Sequence, residues 1–187
     1  MKIHDDVRKR LRVLYSENDI AKRIKEIAAK LAEKQLDDPL AITILKGSFI
    51  FAADLLRAMH YAGIETEVEF MMISSYRKGT QSGQIEIKKD IDSPVENRNV
   101  ILIDDILETG RTLAHARDLL MARGAKRVLT CCLLEKPGKR AVAIEADCVG
   151  FTCPDQFVVG YGMDMGHSFR ELPYIGYLPQ EERGETR

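Results

Sequence analysis

The stretch Val100 to Thr112, VILIDDILETGRT, constrains the fold more than any other part of the chain. Val100, Ile101, Leu102 and Ile103 are a continuous run of apolar β-formers, the pattern of a parallel strand covered on both faces. Asp104 and Asp105 stand at its carboxyl end, and Thr109, Gly110, Arg111 and Thr112 lead into an amphipathic stretch from Leu113 to Arg123. In open α/β sheets, ligands bind outside the carboxyl ends of strands. The N–H groups that open the following helix suit a phosphate. Carboxylates beside a phosphate site imply a ligand that carries hydroxyls and a hard cation. The residues by themselves therefore point to a sugar phosphate with Mg²⁺.

The same strand, glycine turn and helix plan occurs earlier. Leu40 to Leu45 is a second apolar strand, Lys46, Gly47 and Ser48 follow it, and a helical pattern runs from about Phe49 to Tyr61 with Gly63 as its stop. The Lys46-Gly47 turn reads either as an ordinary connection or as backbone N–H groups and a point charge for an anion. Ahead of it, residues 1 to 14 are basic and short on pattern, which predicts a solvated, mobile terminus. Ser16 is a candidate N-cap for a helix from about Glu17 to Gln35, with Ile20, Ile24, Ile27 and Leu31 on its apolar face and Asp37, Asp38 and Pro39 ending it.

Beyond the second helix, Glu65 to Ile73 alternates Val68, Phe70 and Met72 with polar neighbours, a half-buried strand. Ser74 to Gly83 is polar and reads as a hairpin loop or as a closing lid; Ile85 to Ile91 returns as the partner strand. After the central motif, Arg127 to Glu135 is another buried strand with Lys136 to Lys139 as its carboxyl-end loop. Short strands are expected at Cys148–Phe151, Phe157–Tyr161 and Tyr174–Leu178, the last in a small flap with the N-terminal segment.

The length of 187 residues favours one domain. Lys and Arg number 28 against 29 Asp and Glu, a net charge of -1 that argues against a broad basic nucleic-acid surface. The four cysteines form no C-x-x-C pair and no zinc spacing, so they read as reduced structural thiols. No signal-peptide pattern and no long apolar run is present, which makes a cytoplasmic location the default expectation and a membrane partner unexpected. A P-loop pattern is absent, and Gly160, Gly162 and Gly166 have the wrong spacing for a dinucleotide fingerprint.

VILIDDILETGRT resembles the phosphoribosyl-diphosphate (PRPP) binding motif of type I phosphoribosyltransferases, above all that of the bacterial-type 6-oxopurine (hypoxanthine–guanine) branch. The resemblance extends to Leu45-Lys46-Gly47, to Ser75-Tyr76, to Lys136 and to the order Phe157 to Gly160, Asp164, Phe169, Arg170. It implies an α/β fold with a parallel-sheet core over about 37–155 and a small hood from the N-terminal segment and about 156–180, within a single domain 1–187. It implies that Thr109, Gly110, Arg111 and Thr112 hold the 5-phosphate, and that Asp104 and Asp105 meet the ribose hydroxyls directly or through the metal's waters. Lys46 and Gly47 would form a pyrophosphate loop with a non-proline cis bond after Leu45, Ser75 and Tyr76 a catalytic lid, and Arg170 a pyrophosphate contact. Mg²⁺ would sit on Asp104, Asp105 and Asp164.

On the purine side, the resemblance has Lys136 donate to the 6-oxygen, Phe157 stack on the ring and the Val158 backbone read its edge. Glu108 is a departure, because the family usually has Asp there as the proton acceptor at N7. Glu108 would keep that catalytic role on a longer stem; otherwise it is a solvated glutamate at the start of the helix. The implied reaction transfers 5-phosphoribosyl from PRPP to N9 of hypoxanthine or guanine, giving IMP or GMP and pyrophosphate, in a homodimer or homotetramer with no nucleic-acid partner. A xanthine-preferring enzyme and a PRPP-sensing, nucleic-acid-binding regulator of the same fold stay open as rivals.

Overall fold

The computed structural model describes residues 2–75 and 85–179, with the side chains of residues 2–5 and 75 left aside. Six strands form the main sheet in the order β4-β3-β2-β5-β6-β7. They are β2 (Pro39–Leu45), β3 (Glu67–Ser75), β4 (Ile85–Lys89), β5 (Asn99–Leu107), β6 (Arg127–Glu135) and β7 (Cys148–Thr152). All neighbouring pairs are parallel except β3 with β4. From β2 the chain steps to β3 on one side, and from β5 to β6 on the other. The switch point therefore lies between β2 and β5, where a crevice opens at the carboxyl ends.

Helices α2 (Glu17–Ala32) and α3 (Phe49–Tyr61) cover one face of the sheet, and α4 (Arg111–Ala122) covers the other. Against the first face, Ile24, Ile27, Phe51 and Leu55 pack with Ala41, Ile101 and Leu129; against the second, Leu113, Ala116 and Leu120 pack with Leu40, Ile42 and Leu102. Each such aliphatic or aromatic side chain, once buried, stabilises the fold by about 1.5–3 kcal/mol. The α2 start is a capping box: Ser16 Oγ accepts from the Asp19 N–H at 3.2 Å, and the Asp19 carboxylate accepts from the Ser16 N–H at 3.0 Å. No helix of the described residues is long and apolar enough to cross a membrane.

A second, three-stranded sheet joins β1 (Arg12–Tyr15), β9 (Ile175–Tyr177) and β8 (Val158–Val159). Helix α1 (Lys2–Arg10) packs beside it through Val7, which is buried with Val159, Phe169, Leu172 and Leu178. The mobile terminus expected for residues 1 to 14 is thus a helix and a strand, held by apolar contacts at spacing too sparse to signal in sequence. The α2 helix stops short of the predicted Gln35, which takes a left-handed φ of 47°. The β3 strand begins at Glu67 rather than Glu65, because the Thr66 hydroxyl, donating to Pro39 O and accepting from the Ala41 N–H, replaces a ladder bond. Its predicted buried face is also reversed: Met71 is fully buried, whereas Val68 and Phe70 are exposed. The strand expected over Phe157–Tyr161 is cut to Val158–Val159 by positive φ at Gly160 and Tyr161.

Candidate active site

A cavity of about 540 Å³ opens at the carboxyl ends of β2, β5 and β6. Its walls include Lys46, Gly47, Asp104, Asp105, Glu108, Thr109, Gly110, Thr112, Lys136, Phe157, Val158, Asp164 and Arg170. Most of the residues singled out in the sequence are thereby brought to one place. Arg111, which opens α4, is not in the cavity wall, while Ile73 and Met163 line it without having been marked beforehand. Their only sequence signal was apolar character. Ser75 ends β3 with its side chain undescribed, and Tyr76, like the loop that follows it to residue 84, lies outside the described residues.

The two βα turns form a single floor. The Leu45–Lys46 bond is cis, and Ser48 Oγ donates to Ile44 O instead of capping α3. A Cβ on Gly47 would lie 1.6 Å from Asp105 Oδ2, so only glycine lets the β2 turn close onto the β5 turn. At the start of α4, Gly110 has φ 78°, and a Cβ there would meet Ile144 Cγ2 at 2.5 Å. No acidic residue stands in the first turn of α4. Thr109, Gly110 and Thr112 at its start line the cavity, an arrangement suited to phosphate.

Asp104 Oδ1 accepts from the Asp105 N–H at 3.0 Å, and Asp105 Oδ1 accepts from the Ile106 N–H at 2.8 Å. Burial, and next the charge of Asp105, push the Asp104 carboxyl well above its ordinary range. Burial raises Asp105 also, against the pull of its backbone hydrogen bonds and of Arg170. Adjacent carboxylates, one buried and one half-buried, with no ion pair of their own among the described residues, fit a hard divalent cation that takes its other ligands from substrate oxygens and water. Among the described residues no three carboxylate, histidine or cysteine side chains gather as a metal cage. Asp164 is paired with Arg170 at 2.7 Å, and Arg170 also donates to Gly162 O at 2.6 Å.

On the far side of the cavity, Lys136 Nζ lies 3.3 Å from Glu108 Oε2. The lysine side chain is 8% exposed and the glutamate 42%. Phe157 presents a 43% exposed ring to the opening, above the buried Val158. The loop carrying Asp164 and Arg170 leans on the β2 turn: a Cβ on Gly162, at φ 100°, would come within 2.0 Å of Gly47 O.

Comparison with known proteins agrees with this fold. A phosphoribosyl transferase domain model matches residues 13–165. A hypoxanthine-guanine phosphoribosyltransferase of Streptococcus agalactiae is 43% identical over 96% of this chain and 97% of its own length. A solved hypoxanthine phosphoribosyltransferase from Staphylococcus aureus superposes with a TM-score of 0.87 at 41% identity, covering 94% of this chain and 95% of that one. That of Trypanosoma cruzi, in complex with the product IMP, gives 0.84 at 35% identity over 91% and 95%. With its fold, its cavity at the switch point and these relatives in agreement, the chain belongs to the phosphoribosyltransferase family.

Proposed function

We propose that the protein is a purine-salvage enzyme that transfers the 5-phosphoribosyl group of PRPP to N9 of hypoxanthine or guanine, forming IMP or GMP and releasing pyrophosphate. The observation that carries this reading is the pairing, in one cavity, of a phosphate-binding turn with a lysine and a carboxylate from neighbouring strand ends. The N–H groups and hydroxyls of Thr109 to Thr112 take the 5-phosphate, with Gly110 supplying the positive φ that turns the chain into α4. Asp104 and Asp105 accept from the ribose 2- and 3-hydroxyls. Lys46, Gly47 and Arg170 receive the pyrophosphate, and Asp104, Asp105 and Asp164 are the carboxylates available to Mg²⁺ and its waters. When bound, Mg²⁺ neutralises charge on the leaving pyrophosphate and orients the ribose.

Lys136 donates to the 6-oxygen of the purine. Against adenine it would meet a 6-amino donor, and the hydrogen bond to the base would be lost. Phe157 stacks on the ring, and the Val158 backbone meets its edge. As the bond from the anomeric carbon to pyrophosphate breaks and the bond to N9 forms, Glu108 accepts the proton released at N7. Ser75 and Tyr76 belong to the lid that excludes water. The free thiols of Cys131, Cys132, Cys148 and Cys153 support a cytoplasmic location. The assembly is a homodimer or homotetramer, for which exposed Val68 and Phe70 supply apolar surface.

Pyrophosphate release from PRPP and Mg²⁺ with hypoxanthine, guanine, xanthine and adenine in parallel tests the reading. Turnover with hypoxanthine or guanine and none with adenine is expected; efficient use of adenine would refute the role given to Lys136. Glu108→Gln is expected to lower turnover by about 10²–10⁴-fold, the usual contribution of an acid–base group. Near-normal turnover in that variant would remove Glu108 from the chemistry.

A further inference from the structure

Resting on that reading, we infer that Arg140 is a positioning residue for the purine half of the site. It stands in the loop after β6, five residues beyond the strand's last residue, Glu135, and no sequence motif marks it. Its Nη1 reaches three main-chain carbonyls: Leu107 at 2.7 Å, Glu108 at 2.8 Å and Lys136 at 3.1 Å. Nε donates to Ile144 O at 3.3 Å, and Nη2 pairs with Glu135 at 3.2 Å.

Two of those carbonyls belong to the residues that face N7 and the 6-oxygen. They lie where the β5–β6 ladder runs out, since its last register pair is Leu107 with Glu135. Past that point a single backbone bond, from the Lys136 N–H to Leu107 O at 2.9 Å, joins the strands. The guanidinium fork takes over from there, sharing the Leu107 carbonyl with that bond, reaching the carbonyls of Glu108 and Lys136, and fixing these two residues relative to each other. The phosphate turn has ties of its own to the same loop. The Ala141 N–H donates to Thr109 O at 2.9 Å, and Ile144 packs where a Gly110 Cβ would be. Loss of the Arg140 side chain therefore falls chiefly on the purine end; it reaches the phosphate turn only through Ile144 and the packing of its own methylenes on Gly110, while the Ala141–Thr109 backbone bond remains. Lysine, with one nitrogen and no fork, replaces it only in part.

The test is to measure hypoxanthine KM, kcat and PRPP Kd for Arg140→Gln and Arg140→Lys. Arg140→Gln should lower kcat/KM for hypoxanthine by roughly 10²-fold, Arg140→Lys by about 10-fold, and both should keep PRPP Kd within about twofold, because a misplacement near 1 Å suffices for such a loss. A loss shared equally by PRPP and purine, or no loss, would overturn the assignment. If Arg140→Gln does not fold, Arg140→Lys decides alone by the same split. A wild-type protein that makes no IMP overturns the proposed function and this inference together; one that makes IMP alongside unaffected variants overturns only the inference.

Discussion

The main sheet carries two pairs of carboxylates that look alike in sequence and live in opposite surroundings. Glu67 and Glu69, on β3, are saturated with partners. The Ser93 hydroxyl lies within reach of both and donates its one proton between them, Glu69 accepts from the Ser93 and Asp92 N–H groups, and Arg98 reaches Glu67 at 2.6 Å. The Ser93 hydroxyl, followed by Arg98 at Glu67, holds these carboxyls below their ordinary range. Asp104 and Asp105, on β5, have one backbone donor each and make no ion pair among the described residues, and burial raises both. The first pair has its charge answered within the protein, so it serves the scaffold. The second pair has its charge answered only in part, by backbone donors and the more distant Arg170, and a cationic ligand supplies what it lacks.

Removing the second pair should separate function from stability. Asp105→Asn is expected to lower turnover by at least about 10²-fold, as loss of a site charge commonly does. The same change should raise the Tm of the substrate-free, metal-free protein by about 2–4 °C, equivalent to relieving about 1 kcal/mol in a chain of this size. A drop in both would erase the contrast between the pairs. Gly47→Ala bears on the same carboxylate from the other side. Its new methyl displaces Asp105, and an activity loss of about 10²-fold is expected from the shifted geometry.

Smaller effects sharpen the comparison. Arg98→Met breaks contacts to Glu67 and Asp38. It should lower Tm by about 2–4 °C and leave turnover within about twofold, since it touches nothing in the cavity. The smallest effect is in the pH dependence. Because the Asp104 carboxyl titrates above its unfolded value, its ionisation costs stability as pH rises through that raised value. The lowered carboxyls of Glu67 and Glu69 behave in the opposite sense, contributing stability at higher pH that is lost as pH falls through their lowered range. The Tm advantage of Asp104→Asn should therefore be greatest near neutrality and shrink as the wild-type carboxyl protonates in acid. An advantage that grew in acid would reverse the sign assigned to Asp104.

The contiguous parts of the site were readable because one segment holds both the strand and its tip. Val100 to Thr112 contains the apolar run, both aspartates and the turn, and α3 was bounded at Phe49 and Tyr61 from its pattern alone. What escaped reading depends on partners distant in the chain. The Arg140 side chain meets carbonyls at the end of another strand, which no local spacing encodes. On β3, alternation predicted that Val68 and Phe70 face inward, but α3 does not cover them and Met71 takes the core position. The hood strand over Phe157–Tyr161 was read too long because positive φ at Tyr161, a non-glycine, leaves no mark in the sequence.

The antiparallel pairing of β1 with β9 has a consequence for synthesis. Arg12 meets Tyr177, so a strand made early in this segment waits for one made much later in it. The six-stranded sheet can close once Thr152 has emerged, whereas Asp164, Arg170 and β9 arrive afterwards, a delay of seconds at about 5–20 residues per second. During that interval a nascent chain holds Asp105 without the arginine whose charge pulls on it. Competence for the reaction thus waits on synthesis of the segment through β9, and a nascent chain that lacks it would leave Val159 without its antiparallel partner.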